Sequence, residues 1–153
     1  MALDRTDIRI LDALQQGGRL TNAELAEQIN LSASACHRRV KRLEAEGVIA
    51  GYVALLSPAA VGRRSIVFVE VKLSSQSEET LDAFETAVSG IPDVLECHLM
   101  AGAADYLLKI AARDSEDFAR IHRQRLTRLP GVAQMQSSFA LRTVRGSTAL
   151  PLD

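Results

Sequence analysis

The sequence predicts an α+β chain with two domains, a helical one followed by one in which strands and helices alternate. Apolar residues recur at three- and four-residue spacings in the first third of the chain, which is the period of an amphipathic helix. From Ser65 to Ser75 they recur at every second residue, which is the period of a strand. The chain has 153 residues, of which 47% are hydrophobic and 24% charged. This is a globular composition with room for one domain or two small ones.

Three helices are predicted in the first domain. The first covers Asp4–Gln16 and is ended by Gly17-Gly18. The second is short and opens with a capping box at Thr21-Asn-Ala-Glu24, in which the Thr hydroxyl and the Glu carboxylate accept hydrogen bonds from each other's backbone amides. The third begins at Ser32, a good N-cap, and ends near Gly47. Only Asn30-Leu31 separates the second helix from the third.

The cations of this domain are concentrated on the third helix. Residues 1–52 hold seven cations and seven anions, but four of the cations lie between Arg38 and Arg42, and no acid occurs from Asn30 through Leu43. On a helical wheel Ser34, His37, Arg38 and Lys41 fall together, opposite the apolar positions, and Arg39 and Arg42 flank them. Most charge runs are simply solvated faces, and His37 can equally be solvated.

A short capped helix, a tight turn and a helix with one cationic face indicate a helix-turn-helix domain, winged-helix-like, over residues 1–52. Such a helix fits the major groove of double-stranded DNA, where its N-terminal side chains reach base edges and its cations neutralise phosphates. The predicted DNA-binding residues are Ser32, Ser34, His37, Arg38, Arg39, Lys41 and Arg42.

Residues 53–64 are predicted to form a linker strand and hinge. Val48–Leu56 favours an extended segment, and Ser57-Pro58 with Gly62 supplies turn-forming residues.

Residues 65–153 predict a ferredoxin-like βαββαβ domain. After the first strand, a helix containing Phe84 is ended by Gly90 and Pro92, and two strands, Val94–Ala101 and Tyr106–Ala112, form a hairpin. A helix capped at Asp114 or Ser115, which contains Phe118, Ile121, Leu126 and Leu129, and a last strand, Val132–Val144, complete the order. Both helices cover one face of the sheet. Apolar residues on the other face, Ile66, Phe68, Met100 and Ala140, predict association into a homodimer through that face.

Several classes of protein are excluded by what the sequence lacks. The longest apolar runs fall short of the roughly 20 residues that span a bilayer, and no signal peptide is recognisable, so we expect a cytoplasmic protein without a membrane partner. Cys36 and Cys97 are expected to be free thiols. Neither a zinc-type Cys/His set, nor a phosphate-binding Gly motif, nor a GxSxG motif occurs, so no metal, cofactor or catalytic residue is predicted.

Four segments together resemble the Lrp/AsnC (feast/famine) family of transcriptional regulators. They read LDRTDIRILDALQQGGRLTNAELAEQINLS, CHRRVKRLEAEGVIAGYVALLSPAAVG, ECHLMAGAADYLLKI and LPGVAQMQSSFALRTV, and they span essentially the whole chain. The resemblance implies an N-terminal domain that binds DNA. It also implies a C-terminal domain that binds a small effector, usually an amino acid, and assembles dimers into octamers or other rings.

The resemblance further implies an effector site near the hairpin at Gly102-Ala-Ala-Asp105-Tyr106. There an acid can receive the ligand ammonium, while backbone amides at a glycine turn can hold its carboxylate. The residues expected at the site are Met100, Gly102, Asp105, Tyr106, Gln136 and Ser138. The alternative is that Gly102 only makes the turn and that Asp105 only satisfies turn amides.

Three functions remain, of which the third is a structural, chromatin-like protein that binds DNA with little sequence preference. The first is a sequence-specific DNA-binding regulator whose DNA binding or assembly responds to an amino acid and which controls genes of amino-acid metabolism. The second is an enzyme, because siroheme decarboxylases are similar in both halves. The intact Arg38–Arg42 cluster favours the regulator, since a helical domain that no longer binds DNA does not need it.

Overall fold

The computed structural model describes residues 2–153, which divide into two compact units. The first unit runs up to Leu55 and also includes Val144–Asp153, and the second is Leu56–Thr143. The predicted second domain, residues 65–153, also includes the last ten residues, which pack with the helical unit in the structure.

The first unit contains the three predicted helices, and the second and third are begun by the predicted side chains, Thr21 and Ser32. Asp4, Thr21 and Ser32 accept a hydrogen bond from the backbone amide three residues later, and the capping box at Thr21 and Glu24 is present. Asn30 adopts a left-handed conformation (φ 57°) in the two-residue turn before the third helix. The helices are α1 (Arg5–Gln16), α2 (Asn22–Ile29) and α3 (Ala33–Ala45).

A small apolar core joins the three helices, and the C-terminal segment packs against it. Leu152 contacts this core, and the Gln15 side-chain amide pairs with the backbone of Leu150 in both directions, at 3.0 Å and 2.6 Å. This contact could not be predicted from local patterns, since it joins residues 135 apart. The fully buried core side chains include Ile10, Leu25, Ile29, Cys36 and Leu43.

The predicted linker strand does not form. Within the described chain, residues 46–64 contain neither a helix nor a strand. A strand requires a hydrogen-bonded neighbour, and residues 51–56 pair with no strand of the described chain. The predicted turn does occur, since Arg63 N–H donates to the Pro58 carbonyl at 2.7 Å.

The second unit is the predicted four-stranded antiparallel sheet with two helices. The strand order β2-β3-β1-β4 is that of the ferredoxin-like arrangement, and each neighbouring pair is antiparallel. The elements are β1 (Ser65–Leu73), α4 (Glu78–Ser89), β2 (Val94–Leu99), β3 (Tyr106–Ala112), α5 (Ser115–Gln124), a 3₁₀ turn (Leu126–Arg128) and β4 (Val132–Phe139).

Alternation along β1 separates a buried face from an outer one, as predicted. Val67, Val69 and Val71 are fully buried, and α4 and α5 cover them with Phe84, Val88, Phe118 and Ile121. The two middle strands and both helices therefore share one core.

Three predicted boundaries in this unit are corrected. β2 ends at Leu99 rather than Ala101, and β4 ends at Phe139 rather than Val144. β4 is shorter because its ladder with β1 runs out: after Phe139 only the Ala140 N–H still reaches the Ile66 carbonyl, at 2.9 Å. Leu126 and Leu129 are predicted to lie in the second helix of this domain. In the structure Leu126 begins the 3₁₀ turn, Leu129 directly follows that turn, and both side chains are buried.

The outer face of the sheet is more polar than predicted. Phe68 is 37% exposed, as expected for an uncovered apolar residue, and Ile66 and Ala140 are half-buried. Most of the face, however, consists of polar side chains, which the strand register places on the same side of the sheet as Phe68. They are Glu70, Lys72, Glu96, His98, Lys109, Gln134, Gln136 and Ser138.

Candidate nucleic-acid interface and ligand site

Helix α3 presents a cationic and hydrogen-bonding face to solvent. Cys36 and Leu43 are fully buried, and they pack one side of the helix against the core. The other side is exposed and carries Ser34, His37 and Arg38. Lys41 is also exposed. These are the four residues that the helical wheel grouped together. Ser32 is exposed as well, but its hydroxyl accepts from the Ala35 N–H at 3.2 Å and serves to begin the helix.

Arg39 and Arg42, predicted to flank that face and to contact DNA, are bound to α1 instead. Asp7 is only 1% exposed; its Oδ1 lies 2.8 Å from Arg39 Nη1, and its Oδ2 lies 2.6 Å from Arg42 Nη2. A buried carboxylate requires cationic or hydrogen-bonding partners, and α3 supplies both here. The two guanidinium groups therefore fasten the recognition helix to the first helix.

Asp4 extends this ionic cluster to the end of α1. Its Oδ2 accepts a hydrogen bond from Arg39 Nη1 at 2.7 Å. That bond is the main reason why the pKa of Asp4 lies below its ordinary value, and it raises the pKa of Arg39 in turn. The four residues of the cluster are Asp4, Asp7, Arg39 and Arg42.

A second polar cluster lies at the other edge of the exposed face. Lys41 Nζ donates to Glu44 Oε2 at 2.8 Å, and the Tyr52 hydroxyl donates to Glu44 Oε1 at 3.1 Å. Both bonds, that of Lys41 first, lower the pKa of Glu44. Together with His37 and Asn22, these side chains line a concavity of about 300 Å³ beside α3. Sequence reasoning missed Glu44 and Tyr52.

The predicted hairpin between β2 and β3 is present, and both carboxylate oxygens of its Asp105 accept hydrogen bonds within the protein. Asp105 is 7% exposed, and its Oδ2 accepts from the Leu73 N–H while its Oδ1 accepts from Gln76 Nε2, both at 2.7 Å. The Met100 N–H donates to the Asp105 carbonyl at 2.8 Å and closes the hairpin. Asp105 therefore holds the hairpin against β1 and the residues after it, and its partners are a strand amide and a side chain rather than the turn amides of the alternative interpretation.

Tyr106 belongs to the core rather than to an open site. It is buried, its ring lies 4.5 Å from that of Phe84, and its hydroxyl donates to Glu85 Oε1 at 2.6 Å. Burial is the main cause that raises its pKa. Gln136 and Ser138 lie on the opposite, outer face, so the six predicted effector residues do not converge on one site.

Met100 and Gly102 lie at the exposed end of the hairpin. Met100 is partly exposed, and nothing lies within 4 Å of where a side chain at Gly102 would begin. Neither a positive φ nor a close approach requires glycine there.

A concavity of about 230 Å³ does occur on the outer face beside this hairpin. It combines one predicted residue, Gln136, with charged residues of β1 that were not predicted. Register pairs Glu70 with Gln136 and Lys72 with Gln134, which brings both charges to the hairpin. The outward positions of β1 could have indicated them. The lining residues are Glu70, Val71, Lys72, Ala103, Ala104, Gln134 and Gln136.

Family comparisons agree with both units. The Lrp/AsnC ligand-binding domain matches residues 66–150, and a winged helix-turn-helix DNA-binding domain matches residues 3–50. The chain belongs to the Lrp/AsnC family.

Relatives of this Lrp/AsnC protein match it over almost their full length. The proline dehydrogenase transcriptional activator of Rhizobium radiobacter is 40% identical, with 94% of this chain and 92% of that protein covered. The leucine-responsive regulatory protein of Escherichia coli K12 is 39% identical, with 97% and 90% covered. A transcriptional regulator from Neisseria meningitidis, solved as a complex with L-methionine, has a TM-score of 0.94 at 40% identity and covers 99% of this chain and 98% of its own.

Membership of the Lrp/AsnC family makes the chain a DNA-binding transcriptional regulator with a ligand-binding domain, and the enzyme alternative finds no support among these relatives. Among residues 2–153 no group of His, Cys, Asp or Glu could hold a metal ion, and no helix is long and apolar enough to cross a membrane. Cys36 and Cys97 are free thiols in the described structure, and burial raises the pKa of both.

Proposed function

We propose that this regulator reads duplex DNA with the exposed face of α3, using Ser34, His37, Arg38 and Lys41. The observation that carries the proposal is the difference between the cations of that helix: Arg39 and Arg42 pair with the buried Asp7 of α1, whereas exposed Arg38 has no ion pair among the described residues and exposed Lys41 pairs only within α3, with Glu44. Because ion pairs hold this helix on its own domain, its backbone is already ordered before DNA binds. Binding through its exposed side chains then costs no further backbone entropy.

Each exposed cation has its own expected role. Arg38 carries a planar guanidinium that suits bidentate contact with guanine, and no ion pair within the described residues occupies it. Lys41 is a point charge on a flexible stem and suits a phosphate. Arg39 and Arg42 are left out of this proposal, because contact with DNA would compete with their bonds to Asp7.

The substitution Arg38→Ala tests the base-reading role. We expect it to weaken binding to a DNA fragment selected from a random pool by about 1 to 3 kcal/mol, with a smaller loss on unselected DNA. Fluorescence anisotropy at matched salt measures both. Arg9→Ala removes one exposed charge from α1 of the same unit and is the matched control. Equal losses on selected and unselected DNA would contradict base reading by Arg38.

We also propose that the effector is an amino acid and that it binds in the outer-face concavity at the hairpin. The Neisseria meningitidis relative and a feast or famine regulatory protein of Mycobacterium tuberculosis were both solved with L-methionine. An α-amino acid carries an ammonium and a carboxylate, which suit Glu70 and Lys72 respectively, and the amide of Gln136 can donate or accept. Gly102, Met100 and Ser138 border this site in the proposal, whereas Asp105 and Tyr106 shape the hairpin from inside.

A thermal-shift screen of the twenty amino acids tests this site, because a ligand that binds only the folded state raises the melting temperature. We expect at least one amino acid to stabilise the protein, and Lys72→Met to abolish the shift. Lys109→Met removes a lysine of the same sheet face that is paired with Glu96, and it should leave the shift intact. A shift that survives Lys72→Met would place the ligand elsewhere.

Assembly is the third part of the proposal. We propose a homodimer formed through the outer sheet face, with dimers joining into a higher oligomer such as an octamer, in the cytoplasm. The exposed Phe68 at the middle of the face supports association there. Two recognition helices related by a two-fold axis then read half-sites about one helical turn apart. Sedimentation of a Phe68→Asp variant should show a smaller species than the wild type, and an unchanged mass would contradict this interface.

A further inference from the structure

Tyr52 lies beyond α3 in the part of the chain that follows the recognition helix. Its side chain is 50% exposed, and it is not among the described side chains that pack on the core of the first unit. Its defining contact is polar, since its hydroxyl donates to Glu44 Oε1 at 3.1 Å. A role in packing alone would not need that hydroxyl.

The carboxylate of Glu44 is shared between two donors on opposite sides. Oε1 accepts from Tyr52, and Oε2 accepts from Lys41 Nζ at 2.8 Å. Tyr52 thus holds one oxygen in place, and the other oxygen fixes the direction of the Lys41 ammonium. Lysine side chains are long and lose considerable rotamer freedom when they are ordered. An ammonium oriented before DNA arrives has lost that freedom already.

Glu44 would oppose DNA binding if it were free. A carboxylate at the edge of a surface that meets phosphates repels them. Glu44 and His37 line the same concavity beside α3, so the carboxylate also lies near the proposed base-reading residues. Held by Tyr52, the carboxylate remains beside Lys41, where the ammonium compensates its charge.

We propose that Tyr52 is a positioning residue for DNA recognition: its hydroxyl holds Glu44, and Glu44 holds the Lys41 ammonium beside His37 on the exposed face of α3. The inference rests on the proposed function, because it requires that face to contact DNA. Tyr52 acts through Lys41 and need not touch DNA itself.

The substitution Tyr52→Phe removes only the hydroxyl. We expect it to weaken binding to the selected DNA fragment by about threefold to tenfold, the range of one ordinary hydrogen bond. The melting temperature should stay close to that of the wild type, because the lost bond is largely solvent-exposed. The chain has one other tyrosine, Tyr106, whose hydroxyl also bonds a glutamate. Tyr106→Phe lies in the other unit and should leave the affinity for DNA unchanged in the absence of amino acids.

A double-mutant cycle with Lys41→Ala separates positioning from a general structural effect. In the Lys41→Ala background Tyr52→Phe should have no further effect on affinity, because the ammonium that it orients is gone. An equal effect of Tyr52→Phe in both backgrounds, or no effect in the wild-type background, would overturn the inference. If Lys41→Ala alone changed nothing, the fault would lie with the proposed DNA-binding role of Lys41, and the inference would fall with it.

Discussion

A single buried carboxylate, that of Asp7, pairs with two of the three arginines of α3. Asp7 binds Arg39 and Arg42 through different oxygens, so the two guanidinium groups cannot turn toward a groove without leaving it uncompensated. Of the other two cations, Arg38 has no ion pair among the described residues, and Lys41 pairs with Glu44 of its own helix. A charge cluster that looks uniform in sequence thus serves two purposes.

The substitution Asp7→Asn tests the anchoring role. We expect a loss of about 2 to 3 kcal/mol in the free energy of unfolding, at the low end for a broken buried pair because both arginines are partly exposed. Urea unfolding followed by far-UV circular dichroism measures it. Asp12→Asn makes the same change on the same helix, where the structure describes no ion pair, and should cost less than about 0.5 kcal/mol. Equal costs for the two variants would contradict the assignment.

These contacts mark the limit of what the residue pattern could predict. The helical wheel correctly grouped Ser34, His37, Arg38 and Lys41, since exposure follows from the apolar stripe of a single helix. It could not assign Arg39 and Arg42, because their partner lies more than 30 residues earlier in the chain. The partners of Asp105 could not be predicted for the same reason: its donors come from β1 and the residues after it, 29 to 32 positions away.

A pH dependence follows from Asp117 in the second unit. Arg113, whose side chain donates at 3.0 Å, is the first cause that lowers the pKa of this buried carboxyl, and Arg120 contributes at 2.7 Å. Because the folded pKa lies below the unfolded value of about 4, the stabilisation is fully present above pH 4 and is lost as the pH falls below it.

Denaturant unfolding of the second unit between pH 7 and pH 3 checks this expectation. The wild type should lose stability in the acid part of that range. Asp117→Asn should start less stable at pH 7 and lose less on acidification. Asp82→Asn, an exposed aspartate of α4 without a described ion pair, should follow the wild-type profile. A wild-type profile in the Asp117→Asn protein would refute the role of this carboxyl.

At the level of elements, helices were predicted better than strand ends. A helix forms its hydrogen bonds within itself and is begun by a local side chain, so Asp4, Thr21 and Ser32 could be recognised in sequence. A strand ends where its neighbour ends, which is a property of the pairing. This is why β4 stops earlier than its alternating pattern and why the extended linker contains no strand.

The joint between the 3₁₀ turn and β4 requires glycine, and Gly131→Ala should therefore be costly. Gly131 has φ +72°, and an added Cβ would lie 2.7 Å from Thr80 Cγ2 on α4. We expect a loss of more than about 1 kcal/mol by thermal or urea unfolding. Thr80→Ser removes the clashing methyl group and should restore part of that loss but leave the φ penalty. Gly102→Ala, with open space and no positive φ, should be nearly neutral.

At the scale of the whole molecule, the chain passes from the helical unit into the sheet unit and then returns. Val144–Asp153 closes on α1, where Leu152 reaches the core and Leu150 pairs with Gln15. The two units are therefore joined by two covalent passages, after Leu55 and after Thr143. The C-terminal residues could not be assigned from sequence, since their irregular backbone carries no periodic pattern.

Truncating the side chain of Leu152 tests this return. Leu152→Ala should increase hydrogen exchange of the α1 amides, because the partly buried side chain supports the core of the helical unit. Leu150 is 71% exposed and contacts Gln15 through its backbone only, so Leu150→Ala is the matched control and should change little. Identical exchange in both variants would contradict a role for the tail.

The returning tail also limits how regulators of this kind can be recombined. A chimera cut once, between residues 55 and 56, would combine one protein's DNA-binding helices with another protein's C-terminal segment, and α1 would meet a segment that did not evolve with it. A functional exchange of DNA specificity would have to transfer Val144–Asp153 together with the helical unit. Such a chimera has two junctions, one after Leu55 and one after Thr143.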